Sequence, residues 1–312
     1  MSVIQIDGHN IHPGESTKLN INIARLPSHT NIDLVVHVNR SEEPGPVVLL
    51  SGGLHGDEIN GIEIVRRIID RGLNVPLKGT IISLPIINIY GFINFSRFVP
   101  DGKDINRSFP GNKNGSLASR VAHFMTTNIL PVVDYGLDFH TGGANRANFP
   151  QIRGNFKDPK TEELAIATNA PFTIHSPLIN KSLRSAAFKR GKPFLVYEGG
   201  ESMRLDDMAV EEGVKCALNF LRHLELAEPI HEEYSSIRIK ESSWVRSRYS
   251  GIFHSHVELG HIVSKNEIIG HITDPFGEFE KIVKSPSDGY VIGLNNTPIL
   301  HQGDAIMHIG RE

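Results

Sequence analysis

The sequence predicts an α/β protein whose sheet is covered by helices on both faces, followed by a small all-β C-terminal domain. Three observations carry that expectation. A short unbroken apolar run at residues 47–50 and strand-length, apolar-rich segments at 81–87, 132–139 and 194–197 read as strands of a sheet buried on both faces. Longer segments at 59–69 and 117–129 place apolar residues at helical spacing, and they alternate with the strands. From Ser235 onward the texture changes, with Gly251, Gly260, Gly270, Gly289, Gly293, Gly303 and Gly310 cutting the chain into short apolar pieces. That pattern belongs to a sandwich or barrel.

Taken in order, residues 18–38 alternate apolar and polar positions twice (Leu19, Ile21, Ile23, then Ile32, Leu34, Val36, Val38) around a turn-rich segment at 27–31, which predicts an opening hairpin. The first buried strand, 47–50, runs into Gly52-Gly53 and then a helix; the second, 81–87, follows. The strand at 194–197 starts after the breaker Gly191-Lys192-Pro193. A helical pattern ends at 221–226, and Pro229 cannot continue it, so a linker is expected at 225–236, dividing residues 1–230 from residues 231–312.

The composition sets limits on function. The chain has 312 residues, 39% of them apolar, 21% charged and 7% aromatic, which is an ordinary globular mix. Its 32 Lys and Arg nearly cancel 35 Asp and Glu, so the basic excess expected of a nucleic-acid binder is missing. Cys216, the single cysteine, excludes an internal disulfide and any thiolate-rich metal site; it lies in an apolar stretch and reads as a core residue. The N-terminus lacks the basic and apolar regions of a signal peptide, and no apolar run reaches the ~18 residues of a membrane span. The expectation is a cytoplasmic protein without membrane or nucleic-acid partners, with homo-oligomerisation as the general prior.

Sixteen histidines against one Trp direct attention to metal chemistry. In open α/β sheets, ligands bind beyond the carboxyl ends of the strands. After the first buried strand comes Ser51-Gly52-Gly53-Leu54-His55-Gly56-Asp57-Glu58, in which His55 and Glu58 are near enough in sequence to hold one ion. The third ends in Asp138-Phe139-His140-Thr141-Gly142-Gly143. Two His and one Glu make the donor set of a catalytic zinc, leaving a position for water or substrate. The fourth exits at Tyr197-Glu198-Gly199-Gly200-Glu201, where Glu198 is placed to take a proton from water and Glu201 is the alternative. Any one of these motifs is common by chance; three of them, each at the exit of an expected buried strand, are not independent accidents.

The strings GGLHGDE, GKDINRSFPG, LDFHTGG and VYEGG together resemble the succinylglutamate desuccinylase/aspartoacylase family of zinc-carboxypeptidase-like hydrolases, over residues 45–225. The resemblance implies a carboxypeptidase-like mixed sheet and one zinc per subunit on His55, Glu58 and His140. It implies Glu198 as general base, Arg97 beside the developing oxyanion, and Asn106 and Arg107 on a substrate carboxylate. The planar guanidinium fork suits that last task. Arg184 is similar to an arginine that contacts a second substrate carboxylate. Asp138, two residues before His140 on the same strand face, is a candidate acceptor for its ring. The expected reaction is hydrolysis of the amide of an N-acyl amino acid or a similar small molecule; a carboxypeptidase or peptide amidase, and a non-catalytic metal-binding interaction protein, are the alternatives.

Residues 245–310 resemble the barrel-sandwich fold of biotinyl and lipoyl carriers but lack a carrier lysine hairpin, which leaves a cap over the site or an assembly surface. His254 and His256, at i and i+2, share one strand face and could bind a second metal; no Cys, Asp or third ligand has matching spacing, so ordinary strand histidines are the simpler account.

Overall fold

The computed structural model describes residues 2–230 and 235–312. The chain opens with a small hairpin, β1 (Ile4–Ile6) and β2 (His9–Ile11), and a long one, β3 (Ser16–Arg25) and β4 (Asn31–Arg40). The α/β unit follows as β5 (Val47–Gly52), α1 (Ile59–Asp70), β6 (Thr80–Leu84), α2 (Ile89–Ile93), α3 (Leu117–Phe124), β7 (Tyr135–Gly142), β8 (Arg146–Gly154), α4 (Pro159–Ala167), β9 (Phe172–His175), α5 (Leu183–Phe188), β10 (Phe194–Glu201) and α6 (Asp207–His223). Eight of the remaining strands are β11 (Ile237–Ile239), β12 (Glu241–Arg246), β13 (Gly251–Ser255), β14 (Ile262–Val263), β15 (Ile268–Thr273), β16 (Glu280–Lys284), β17 (Gly289–Asn295) and β18 (Ile299–Leu300), and β19 (Ala305–Arg311) ends the chain. No helix among the described residues is long and apolar enough to cross a membrane.

The centre of the main sheet is parallel, β10-β7-β5-β6, and antiparallel strands flank it, β8 on one side and β4 then β3 on the other. Alternation along the central strands feeds two cores. Leu49 and Phe194 pack into one with the α3 residues Val121 and Ala122. Val48, Leu50, Leu137 and Phe139 pack into the other with Ile64 and Val65 of α1 and Phe220 of α6. Both faces are therefore covered, as the apolar runs predicted.

α1 forms because Ile64, Val65 and Ile68 recur on one face, where each is fully buried and contributes about 1.5–3 kcal/mol. It stops at Gly72, whose φ of 66° and N–H bond to the Ile69 carbonyl close the last turn. The helix lies very close to the sheet: a Cβ on Gly61 would fall 2.2 Å from the Phe139 carbonyl oxygen, so only glycine allows this approach.

The structure shifts several boundaries. The strand expected at 132–139 is β7, which starts at Tyr135 and runs through His140 to Gly142, because its pairing with β10 continues that far. The helix expected at 117–129 loses α geometry after Phe124 and continues as a π-helical turn, Met125–Ile129. The all-β C-terminal region is present, with its own core around Phe253, Ile269, Val291 and Ile306. Part of it extends the main sheet: β17 pairs β8 through Gly293↔Asn148, β11 pairs β9, and β12 and β19 form the far edge. The rest is a separate four-stranded sheet, β16-β15-β13-β18. The boundary at residue 231, within the predicted linker, lies outside the described residues.

Candidate active site

β5 ends at Gly52, and Gly53 at φ 56° turns the chain into a buried loop that carries His55 to the start of α1. Glu58 is the N-cap residue of α1, yet its side chain caps nothing. It reaches instead to His55 Nδ1 (2.7 Å, Oε1) and His140 Nδ1 (2.7 Å, Oε2), and it accepts a bond from the Thr141 N–H at 3.3 Å. His140 comes from β7, the parallel neighbour of β5, so two adjacent strand ends bring these groups together. His55, Glu58 and His140 are each at most 4% exposed.

Around the triad the partners are fixed. His140 donates from Nε2 to Asp138 Oδ2 (2.7 Å), and Asp138 in turn accepts from the Ser51 hydroxyl (2.6 Å). This selects the tautomer in which the Nδ1 lone pair is free for a ligand. On the other ring, His55 Nε2 is buried without a hydrogen bond among the described residues and faces Asp104 Oδ1 at 3.4 Å. Arg97 spans the group: Nε and NH2 donate to Asp104 Oδ2 (3.1 and 3.0 Å), and NH1 lies 3.2 Å from Glu58 Oε1. Burial acts most strongly on Glu58 and would raise its pKa, but the adjacent imidazoles of His55 and His140 outweigh it and hold the carboxyl well below its usual range. Asp104 behaves alike, with burial overcome by His55 and Arg97. Burial opposes protonation of both histidines, yet the carboxylates around them raise each above 6.5.

The donor atoms of His55, Glu58 and His140 all lie within 4.8 Å of one another. Buried carboxylate and imidazole donors at that spacing, one ring already held by Asp138, suit a zinc-sized ion.

These groups form the floor of a pocket of about 340 Å³ that also takes in Arg97, Asn106, Arg107, Arg184 and Glu198. Asp104 caps the 3-10 turn Ile105–Arg107, which presents Asn106 and Arg107. Asn106 accepts the Leu183 N–H (2.9 Å) and so ties this turn to α5, leaving its NH2 for a ligand. Arg184, on α5, donates NH2 to Ser176 Oγ and the Pro177 carbonyl, while its buried NH1 has no partner among the described residues. Burial and then repulsion from Arg153 lower its pKa to about 10. All eight residues expected in the site from sequence (His55, Glu58, Arg97, Asn106, Arg107, His140, Arg184 and Glu198) thus line one pocket.

Glu201 does not line it; its carboxylate accepts from Asn296 Nδ2 at 2.7 Å. Glu198 lies inside β10 rather than after it. Asn148 donates to its Oε2 (2.9 Å), and Arg153 NH1 is 3.4 Å from its Oε1. Sequence reading missed both holders. They sit on β8, which pairs with β10 through a register irregularity between Glu198 and Gly200. That bulge changes the phase of β8, so that Asn148 and Arg153, five positions apart, both face the pocket. Trp244 of β12, also missed, adds a wall from the C-terminal region; it stacks on His308 (centroids 4.6 Å apart, 6° between planes), with the Arg146 guanidinium 5.8 Å over its ring.

Residues 44–224 match the family model described as the succinylglutamate desuccinylase/aspartoacylase catalytic domain. The chain is 31% identical over 256 residues to the N-alpha-acetyl-L-2,4-diaminobutyric acid deacetylase of Halomonas elongata, covering 77% of this chain and 73% of that one. Among solved structures it is similar to a succinylglutamate desuccinylase/aspartoacylase from Rhodobacter sphaeroides (TM-score 0.82, 26% identity, 96% and 95% of the two chains covered). In fold it also matches the product-bound ectoine utilization protein EutE (DoeB) from Ruegeria pomeroyi (TM-score 0.85, 22% identity, 100% and 98% covered). The match over most of the α/β unit and the identity to the Halomonas deacetylase place the chain in the succinylglutamate desuccinylase/aspartoacylase family of deacylases, as a hydrolase.

Proposed function

We propose that this protein is a zinc-dependent amidohydrolase that cleaves the amide of a small N-acyl amino acid, with residues 1–230 as its catalytic unit and residues 231–312 as an accessory β unit. The observation that carries the reading is the convergence of the His55–Glu58–His140 donor set, the carboxylate of Glu198 and the arginine-rich wall in one pocket. His55, Glu58 and His140 would hold one zinc. When bound, the ion would lower the pKa of water from 15.7 toward ~7 and polarise the amide carbonyl.

The remaining chemistry belongs to the chain. Glu198 accepts the proton of the attacking water and delivers it to the leaving amine. Asn148 and Arg153 keep its two oxygens in one orientation. Arg97 offers NH1 to the negative charge that develops on the amide oxygen, and its bonds to Asp104 hold the guanidinium in place beforehand. Asn106 and Arg107 bind a substrate carboxylate, and the buried, unpaired NH1 of Arg184 takes a second acceptor. A relative that deacetylates a diamino acid derivative supports the small N-acyl substrate class. The single Cys216, buried in the core, accords with a cytoplasmic setting.

The experiment is a screen of zinc-loaded protein against N-acyl amino acids and short peptides, read as released amine. Amine release from the acyl amino acids, zinc retained at one equivalent by elemental analysis, and loss of turnover without loss of zinc in Glu198→Gln are the expected results. Protein that retains no zinc at His55, Glu58 and His140, or a Glu198→Gln enzyme of normal rate, would end this reading.

A further inference from the structure

The four-stranded sheet of the C-terminal region turns Phe253 and Ile272 inward to its core. Its other face carries three imidazoles. β13 and β15 pair antiparallel with His254 directly opposite His271, and His256, one residue past the end of β13, stays tied to β15 by its N–H bond to the Ile269 carbonyl (3.0 Å). The rings of His254 and His271 stack at 4.5 Å with 7° between their planes. His256 Nε2 lies 2.9 Å from His271 Nδ1, and His254 Nε2 is 3.2 Å from Thr273 Oγ1. His254 and His256 are exposed and His271 half-buried. Among the described residues none of the three is hydrogen-bonded to a carboxylate.

We propose that His254, His256 and His271 form a surface metal site, separate from the pocket, that takes a borderline divalent transition-metal ion such as Zn²⁺, Cu²⁺ or Ni²⁺. The His254/His256 spacing alone left the donor set one short, and strand pairing supplies the third member, His271, which is distant in sequence. At a contact of 2.9 Å between two imidazole nitrogens, one ring presents a lone pair to the other. On a tetrahedral ion with bonds of ~2.0–2.1 Å, two nitrogens stand about 3.3 Å apart. An opening of a few tenths of an ångström and a small rotation of these surface rings therefore admit the ion between His256 and His271, once the proton of their contact has moved to the donor ring's other nitrogen so that both facing nitrogens offer lone pairs. His254 completes the set by rotating out of its stack on His271 and giving up its contact to Thr273, because stacked rings point their in-plane lone pairs in parallel; both contacts are at the surface. Purely imidazole donors favour these ions over Mg²⁺ and Ca²⁺, which require oxygen ligands. The paired strands hold the three Cα positions before the ion arrives, so little ordering entropy opposes binding.

The test is equilibrium dialysis of the full-length protein against micromolar free Zn²⁺ at neutral pH, with bound zinc counted by elemental analysis. Wild type is expected to hold one equivalent more than H256Q or H271Q, and both variants should hydrolyse substrate at the wild-type rate, which also reports correct folding. H254Q should bind this equivalent about tenfold more weakly. Because the readout is a difference in stoichiometry, it stands even if the pocket of His55 and His140 proves to hold no zinc. Equal zinc in wild type, H256Q and H271Q would overturn the site, and an H254Q variant as tight as wild type would overturn the three-histidine assignment. Copper loaded at the same site should show imidazole nitrogen couplings in its electron paramagnetic resonance spectrum that disappear in H271Q; couplings that persist unchanged there would count against it.

Discussion

Replacing Gly61 by Ala tests whether the close seating of α1 on the sheet sets the geometry of the site. The added Cβ would stand 2.2 Å from the Phe139 oxygen and 2.8 Å from its carbonyl carbon. Restoring an ordinary contact of 3.4 Å requires α1 and β7 to separate by about 1 Å, since both offending atoms are backbone. Glu58 lies three residues before Gly61 and His140 one residue after Phe139, so the displacement falls directly on the 2.7 Å contact between them. Overpacking of this kind costs about 1–3 kcal/mol, and the better helix propensity of Ala returns up to about 1 kcal/mol. The expected net loss of stability is therefore modest, about 1–2 kcal/mol, whereas a misplacement of about 1 Å can lower kcat/KM by roughly 100-fold. Urea denaturation, zinc retention and kcat/KM on the same preparation separate the two effects. Asp70→Ala, an exposed change at the end of the same helix, is the control and should alter none of them. A Gly61→Ala enzyme with kcat/KM within twofold of wild type and unchanged zinc retention would refute the claim that helix seating positions the donor set.

Three further outcomes are expected. Asp138→Asn removes the carboxylate that holds His140 Nε2, and should weaken zinc retention by about 10–100-fold with little change in fold; competition with a chelator measures it, and unaltered affinity would leave Asp138 a purely structural residue. Arg107→Lys should raise KM by at least about tenfold with kcat nearly unchanged, because an ammonium cannot engage a carboxylate with two parallel bonds; an unchanged KM would remove the anchor role. His308, whose pKa burial and then Arg153 lower from 6.5 to about 4, should make stability fall with acidification. The unfolded chain binds the extra proton between pH 6.5 and 4, so the contribution is intact above 6.5, declines across that window and is lost below about 4, by on the order of 3 kcal/mol at most. Urea midpoints at several pH values should show a shallower decline for His308→Gln, and identical slopes would contradict the assignment.

Much of the fold was legible in the chain because its signals are local. An apolar-rich segment of four to eight residues predicts a buried strand wherever it lies, and the α1 pattern repeats within one helix. The donor residues were legible for a related reason. His55, Glu58 and His140 sit at strand exits, and parallel neighbours such as β5 and β7 necessarily bring those exits to one edge of the sheet. The residues that escaped depend on pairing between distant segments. Asn148 meets Glu198 across 50 residues only because β8 runs beside β10 with an irregular register, and no periodicity in residues 146–154 announces that bulge. Trp244 reaches the pocket because β12, β19 and β17 extend the main sheet, whereas the Gly-punctuated texture of that region predicted a separate unit. His271 meets His254 through antiparallel register, and His256 by a side-chain contact across the same pair of strands. The amino-acid order by itself determined which strands and helices form and which polar side chains stand where the central strands end, since propensity and burial pattern act over a few residues. Tertiary structure decided who orients those side chains and what walls the pocket, since strand register is set by whole-sheet packing that no short window of sequence contains.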